Sequence, residues 1–134
     1  MSVEMKTQIA LVTGASRGIG RALAERFLAE GYRVIGTSRS GEASFSHPVF
    51  TCIPLELGNR ASIAACVEKI KATTDHLDVL VNNAGLAVGL NPINNGIIDD
   101  WERMIDTNVK GLLYVSKIVS NIMIRRGCGQ IINI

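Results

Sequence analysis

A glycine-rich segment from Thr13 to Gly20 is the part of the sequence whose residue types best fit ligand binding. It reads TGASRGIG and joins a short apolar run to a stretch with helical periodicity. Free backbone N–H groups and the positive end of a helix bind phosphate, so this position predicts a pyrophosphate site. No Gly-Lys-Ser/Thr follows, which excludes a P-loop.

Each glycine of this segment has a separate physical task. Gly14 permits a tight turn after the strand, Gly18 lets the backbone approach phosphate closely, and Gly20 lets the helix pack against the strand. The pattern therefore indicates a dinucleotide-binding half-domain, with a purely structural glycine turn as the alternative. The candidate cofactor contacts of the segment are Gly14, Ser16, Arg17, Gly18, Ile19 and Gly20.

Two arginines indicate which dinucleotide is bound. About twenty residues after the glycine segment, an NAD site places a carboxylate on the ribose hydroxyls. Here the sequence instead reads Thr37-Ser38-Arg39. Arg39 and Arg17 can both pair with a 2′-phosphate, which favours NADP over NAD. Ser38 and Arg39 are therefore candidate cofactor residues, and an exposed, solvated Arg39 is the alternative.

A third motif, Asn82-Asn83-Ala84-Gly85, follows another apolar run. Its small residues would admit a flat cofactor, and asparagine side chains can tie neighbouring strand ends together. An ordinary strand-ending turn is the alternative. Asn83, Ala84 and Gly85 are the candidate contacts.

The elements that must position these motifs alternate between strands and helices. Apolar runs predict strands at Ile9–Val12, Arg33–Thr37, Val49–Leu55, Val79–Asn82 and Gln130–Ile134. Helical periodicity predicts helices at Gly18–Glu30 and Ala61–Thr73, and a long helix at Asp106–Arg126 entered after a shorter turn around Asp99 to Ile105. The apolar residues of the long helix cover most of its circumference, so we expect it to be buried on two sides.

The connections between these elements predict the fold class. Only about eleven residues, Ser40 to Phe50, join strands two and three, so a loop is expected there. The alternation and the right-handed crossover rule predict an α/β, Rossmann-type doubly wound parallel sheet, ordered 3-2-1-4-5. With 134 residues, we expect one domain over residues 1–134.

Composition excludes several classes of protein. Hydrophobic residues make up 47%, charged residues 19%, and the net charge is +2, which predicts a soluble folded domain without a nucleic-acid surface. Three cysteines without C-x-x-C spacing predict neither a disulfide frame nor a metal site, and they fit a reducing cytoplasm. The segment Met1 to Gln8 is polar, and no run approaches the roughly 18 apolar residues of a membrane span, so we expect no export and no membrane.

Together, the motifs at Thr13–Gly20 and Asn82–Gly85, with Asn108 in the long helix, resemble the short-chain dehydrogenase/reductase family over the full chain. The resemblance implies hydride transfer between a nicotinamide cofactor and a small hydroxy or carbonyl substrate. It assigns Asn108 to the catalytic group as support for a water relay, and it places Glu56 and Leu57 at the adenine, where the family often has Asp in place of Glu56. The long helix contributes to a subunit interface in this family, which implies a homo-oligomer.

The stretch from Asn82 to Gly111 looks like the NADP-dependent dehydrogenases of serine and other 3-hydroxy acids. The resemblance also implies a catalytic Ser, and a Tyr and Lys spaced Y-x-x-x-K, all beyond strand five and hence beyond Ile134. It therefore implies that the sheet is truncated after the fifth strand and that the domain over residues 1–134 is incomplete at its carboxyl end. Tyr114 and Lys117 have two residues between them rather than three, so we interpret them as packing and surface residues.

We therefore expect these 134 residues alone to have little or no dehydrogenase activity. Two hypotheses follow from that expectation. The chain is the amino-terminal part of an NADP-dependent oxidoreductase, or it is a non-catalytic or split-half dinucleotide-binding module.

Overall fold

A computed structural model describes residues 6–134 as alternating strands and helices. The strands are β1 (Ile9–Val12), β2 (Arg33–Ser38), β3 (Phe50–Pro54), β4 (Val79–Asn82) and β5 (Gln130–Asn133). The α-helices are α1 (Gly18–Ala29), α2 (Arg60–Thr73), α3 (Ile98–Ile105) and α4 (Leu112–Arg126). A π-helical segment at Asp106–Gly111 joins α3 to α4, and a short 3₁₀ turn lies at Ile93–Asn95. The first five residues of the polar segment Met1 to Gln8 lie outside the described part.

All five strands pair in parallel in the order β3-β2-β1-β4-β5, which confirms the predicted topology. Val12 lies opposite both Gly36 and Val81, so the carboxyl ends of the central strands lie at one edge of the sheet. The connection between β2 and β3 contains no helix, as its length predicted. The motifs that follow β1, β2 and β4 therefore lie at the same edge.

The central strands are buried because helices cover both faces of the sheet. Alternate residues of β1 point to opposite sides: Leu11 belongs to the core cluster with α2 and α4, whereas Ala10 and Val12 belong to the cluster with α1. Every residue of β1 and of β4 is buried. This two-sided burial explains the continuous apolar runs from which the strands were predicted.

The structure corrects the prediction for the segment before the long helix. The expected turn around Asp99 to Ile105 is an eight-residue α-helix, α3, and its backbone stays helical through the π-helical segment into α4. Asp99 and Asp100 occupy the first turn of α3, where carboxylates favour a helix N-terminus. Gly127, at φ +82°, ends α4, and its N–H donates to the carbonyls of Met123 and Ile124.

The prediction that the long helix is buried on two sides is wrong for the part of the chain that the structure describes. One face of α4 packs into the core through Val115, Val119, Ile122 and Met123. On its other face, Leu113 and Ile124 are exposed. The periodicity of a helical sequence shows which positions are apolar, but it does not show which other part of the protein covers them.

The three cysteines are free thiols in different environments. Cys66 lies on the buried face of α2, in the core, where burial raises its pKa to about 11, so the thiol stays protonated near neutral pH. Cys52 is half-buried and Cys128 is exposed. They are core and near-surface thiols, as the sequence predicted. Within residues 6–134 no helix has both the length and the apolar character needed to cross a bilayer.

Candidate cofactor site

The glycine segment has the backbone conformation that its sequence predicted. Gly14 and Gly18 have φ values of +65° and +60°, in the left-handed region that favours glycine. Helix α1 begins at Gly18, and Arg17 at its N-cap position makes no side-chain capping hydrogen bond. The first N–H groups of α1 therefore remain available to an anion.

Gly20 holds the helix against the sheet at a distance that no larger residue allows. A Cβ at this position would lie 2.0 Å from the Gly14 carbonyl oxygen and 2.5 Å from Asn83 Nδ2. Asn83 Nδ2 donates to the carbonyl oxygens of Thr13 and Gly14 at 3.1 Å. Close packing at Gly20 and the Asn83 amide together fix the start of the glycine segment.

The asparagine motif ties the strand ends together, as its sequence predicted. Thr13 Oγ1 accepts from the backbone N–H groups of Asn83 and Ala84 at 3.0 Å, which joins the ends of β1 and β4. Asn82 Nδ2 donates to Asn133 Oδ1 at 2.9 Å, which joins the ends of β4 and β5. The edge of the sheet is thus crosslinked by side chains immediately beneath the site.

A cleft of about 440 Å³ lies at this carboxyl edge. It brings together six of the predicted cofactor residues from four separate segments: Arg17, Arg39, Glu56, Leu57, Ala84 and Gly85. The other predicted residues do not line the cleft but lie in the adjoining segments: Gly14, Ser16, Gly18, Ile19, Gly20, Ser38, Asn83 and Asn108. Ile19 is 62% exposed on the first turn of α1.

One wall of the cleft was not predicted from the sequence. Arg103 on α3, with Asp106 and Thr107 of the π-helical segment, faces the walls formed by the strand ends. No motif marks these residues, because they lie in the cleft only through the folding of segments that are distant in sequence. The lining thus includes three arginines and two carboxylates, and Lys110 binds one of the carboxylates, Asp106, at 2.9 Å. That ion pair raises the pKa of Lys110 and leaves the cleft with an excess of positive charge.

Asn108 lies in the π-helical segment and clamps the backbone that follows the asparagine motif. Its Oδ1 accepts from Leu86 N at 2.8 Å, and its Nδ2 donates to Leu86 O at 2.7 Å. A single π-helical turn within a longer helix is frequent at functional sites. Both polar atoms of the Asn108 amide are engaged, so this side chain fixes the position of the Gly85-Leu86 wall.

Replacing Asn108 with alanine is expected to lower the free energy of unfolding by about 1–3 kcal/mol, because two hydrogen bonds to Leu86 are lost together. Urea denaturation of both proteins measures this difference. Asn121→Ala is the matched control, since Asn121 is an exposed asparagine within α4 and alanine favours a helix there. Equal stability of the two variants would contradict the clamp.

Tyr114 and Lys117 lie away from the cleft. Both line a separate groove between α2 and α4, where Arg60 Cζ lies 5.6 Å from the centre of the Tyr114 ring. The other tyrosine, Tyr32, packs edge-on against Phe27 with ring centres 4.9 Å apart. This arrangement agrees with the interpretation of Tyr114 and Lys117 as packing and surface residues.

Comparison with known proteins gives strong matches over nearly all of the chain. The family model described as short chain dehydrogenase matches residues 8–134. The NADP-dependent 3-hydroxy acid dehydrogenase YdfG of Salmonella typhi is 44% identical over 132 residues, which cover 94% of this chain and 53% of that protein. The 3-oxoacyl-(acyl-carrier-protein) reductase FabG of Salmonella typhimurium is 42% identical over 139 residues, covering 100% of this chain and 56% of that protein. The chain spans about half the length of these curated relatives.

A solved structure agrees with the sequence matches. The closed form of serine dehydrogenase complexed with NADP⁺ superposes with a TM-score of 0.86 at 40% identity, covering 94% of this chain and 53% of that chain. The sequence predicted a Rossmann-type sheet and NADP, and this relative binds NADP⁺ on the same fold. From the family model, the sequence relatives and the shared fold we conclude that the chain belongs to the short-chain dehydrogenase family.

Proposed function

We propose that this chain is the cofactor-binding part of an NADP-dependent oxidoreductase, which transfers hydride between NADP(H) and a small hydroxy or carbonyl substrate. The observation that carries the proposal is the joint presence of Arg17 and Arg39 in one cleft at the carboxyl edge of the sheet. The segment that ends β2 reads Thr37-Ser38, without the carboxylate that would repel a 2′-phosphate. The excess of positive charge in the cleft favours the more highly charged cofactor.

The residues of the site fit such a cofactor. A Cβ on Gly18 would meet nothing within 4 Å among the described residues, so phosphate can approach the backbone there. The cleft volume falls within the usual range for small-molecule sites. In this arrangement Gly14, Ser16, Gly18, Ile19 and Gly20 would hold the pyrophosphate, and Arg17, Ser38 and Arg39 the phosphorylated ribose. Glu56, Leu57, Asn83, Ala84 and Gly85 would contact the adenosine. The bound cofactor supplies the hydride, and these residues bind and orient it.

A 3-hydroxy acid is the substrate class that we propose for the whole enzyme. Two relatives at 40% identity or more, YdfG and the serine dehydrogenase, act on such acids according to their names. FabG, at 42% identity, is named for a 3-oxoacyl carrier-protein substrate. Two turnover assays of the full-length enzyme, one with serine and one with a 3-oxoacyl thioester, distinguish these two substrate classes.

We also propose that residues 1–134 bind cofactor without turning over substrate. The relatives are about twice as long as this chain. Neither Tyr114 nor Tyr32 lines the cleft, so neither is placed to exchange a proton with a substrate there. The water relay that the family resemblance assigns to Asn108 belongs to the proposal for the whole enzyme, to which the Asn108 side chain would contribute by holding the Leu86 backbone.

Titration of the 134-residue chain with NADPH and with NADH tests the proposed function. The single tryptophan, Trp101, lies on α3, the helix that also contains Arg103 of the cleft lining, so excitation of Trp101 is expected to sensitise the emission of bound NADPH. We expect saturable binding that is at least about tenfold tighter for NADPH, and no reduction of NADP⁺ by serine. Equal affinity for the two cofactors, or no binding of either, would contradict the proposal.

The exposed apolar face of the long helix supports a further part of the proposal, that copies of the enzyme associate along Asp106–Arg126. Val109, Leu113 and Ile124 are exposed on this stretch. Large exposed apolar side chains on one face are typical of protein interfaces. Association along the helix would bury the side chains that the described part of the chain leaves uncovered.

A further inference from the structure

Arg21, on the second turn of α1, makes contacts that no motif predicted. Its Nη1 donates to Ser44 Oγ at 3.1 Å, and its Cζ lies 5.3 Å from the centre of the Phe45 ring. Ser44 and Phe45 belong to the loop of residues 39–49 that joins β2 to β3. Arg21 therefore binds that loop from the side of the glycine segment.

The same loop also contacts the glycine segment directly. Ser44 Oγ donates to the carbonyl oxygen of Ser16, the residue before Arg17. Because Ser44 accepts from Arg21 and donates to Ser16, one hydroxyl joins the loop, the glycine segment and α1. We call the three residues Arg21, Ser44 and Ser16 the loop latch.

The two ends of the loop are fixed as well. At the first end, Ser38 Oγ donates to Glu42 O at 2.7 Å and accepts from Gly41 N at 3.0 Å, which folds the chain tightly after Arg39. At the second end, the Phe45 and Phe50 rings pack with their centres 4.4 Å apart. The loop is thus attached to the sheet at both ends. Its middle contacts the glycine segment and α1 through the loop latch and through Phe45, which also packs against the core cluster on the α1 side of the sheet.

These contacts link the two arginines of the cleft. Arg17 lies next to Ser16 in the glycine segment, and Arg39 lies at the start of the loop. Both arginines are exposed, and neither forms an ion pair within residues 6–134. Their spacing is therefore set by the backbone segments that carry them, and the loop latch holds these segments together.

We propose that Arg21 is a positioning residue for cofactor specificity: through Ser44 it holds the Arg39 loop against the glycine segment, so that Arg17 and Arg39 bind one 2′-phosphate together. The proposal rests on the proposed function, since it concerns the phosphate that distinguishes NADP from NAD. Two guanidinium groups can bind the same phosphate only if the distance between them is fixed. Without the loop latch, Arg17 and Arg39 would both still be present, but the distance between their guanidinium groups would no longer be fixed.

The test measures the ratio of dissociation constants for NADPH and NADH in variants of the 134-residue chain. Arg21→Ala and Ser44→Ala are each expected to weaken NADPH binding about fivefold and to change NADH binding by less than about twofold, as for the loss of about one hydrogen bond. Arg21→Lys keeps a cation over Phe45 and a donor near Ser44, so it should restore part of the preference. Arg26→Ala is the matched control, because Arg26 is exposed on the same helix and pairs with Glu30 at 2.8 Å, as Arg21 pairs with Glu25 at 3.2 Å.

A double substitution separates positioning from a general structural role. In the Arg39→Ala background, Arg21→Ala is expected to leave the cofactor ratio unchanged, because the latch acts through Arg39. Equal weakening of both cofactors by Arg21→Ala, or the same change of ratio with and without Arg39, would overturn the proposal. Failure of the proposed function gives a different result: the unsubstituted chain would show no preference for NADPH, or Arg39→Ala alone would leave the preference intact.

Discussion

Replacing Arg39 with alanine is expected to weaken NADP binding by about tenfold to a hundredfold and to change NAD binding by no more than about threefold. A charge-assisted hydrogen bond contributes about 1.5–3 kcal/mol, and only NADP carries the phosphate that Arg39 would bind. Arg39 lines the cleft next to the end of β2 and makes no ion pair with another described residue that would compete for its guanidinium group. The measurement is a fluorescence titration of each variant with NADPH and NADH.

Two further variants make this result specific. Arg39→Lys keeps the charge without the planar fork, so its loss of NADP affinity should lie between that of Arg39→Ala and none. Arg125→Ala removes an exposed arginine that lines a different cavity, and it should leave both affinities unchanged. Equal losses of NADP and NAD affinity in Arg39→Ala would show that Arg39 does not distinguish the cofactors.

Replacing Gly20 with alanine is expected to destabilise the fold by about 3 kcal/mol or more, which is a large share of the stability of a domain this size. The added Cβ would lie 2.0 Å from the Gly14 carbonyl oxygen, and backbone cannot yield as a flexible side chain can. It would also displace the Asn83 amide that bonds to Thr13 and Gly14. Urea denaturation measures the loss, and NADPH titration of the folded fraction measures the effect on the site.

Gly18→Ala is the matched comparison, because this glycine lies in the same segment but its Cβ would meet nothing within 4 Å in the described part of the chain. Its cost is conformational, about 1–2 kcal/mol for an alanine at φ +60°. Gly20→Ala should therefore be the less stable of the two, whereas Gly18→Ala should lose cofactor affinity while it remains folded. A Gly20→Ala variant as stable as the unsubstituted chain would contradict the close packing described here.

Local chemistry allowed much of the fold to be predicted from the sequence. The runs at Ile9–Val12 and at residues 79–81 are apolar because both faces of each strand are buried. The glycines at positions 14, 18 and 20 could be assigned because glycine alone fits a left-handed turn or a backbone contact. The order of the strands could be predicted because β-α-β crossovers are right-handed. This rule needs only the alternation of strands and helices and no knowledge of particular contacts.

What the sequence did not predict depends on contacts between distant residues. Arg103 lines the cleft because the fold brings α3 beside segments that are distant in sequence, and its sequence surroundings are those of an exposed amphipathic helix. The π-helical segment at Asp106–Gly111 contains Asn108, which bonds to Leu86, and Gly111, which packs against Leu57. Leu86 and Leu57 are both distant in sequence from the π-helical segment, so helical periodicity could not predict these contacts.

By itself, therefore, the sequence determined the five strands, their order and the helices α1 and α2, and it predicted a dinucleotide site with two arginines that would favour NADP, because these depend on residue type and short-range spacing. Only the tertiary structure decided which wall closes the cleft, which face of α4 is covered, and how Arg21 joins the Arg39 loop to the glycine segment. Those features arise when segments far apart in the chain come within hydrogen-bond or van der Waals distance. Such distances are set by the packing of the whole sheet and its helices, and no local pattern encodes them.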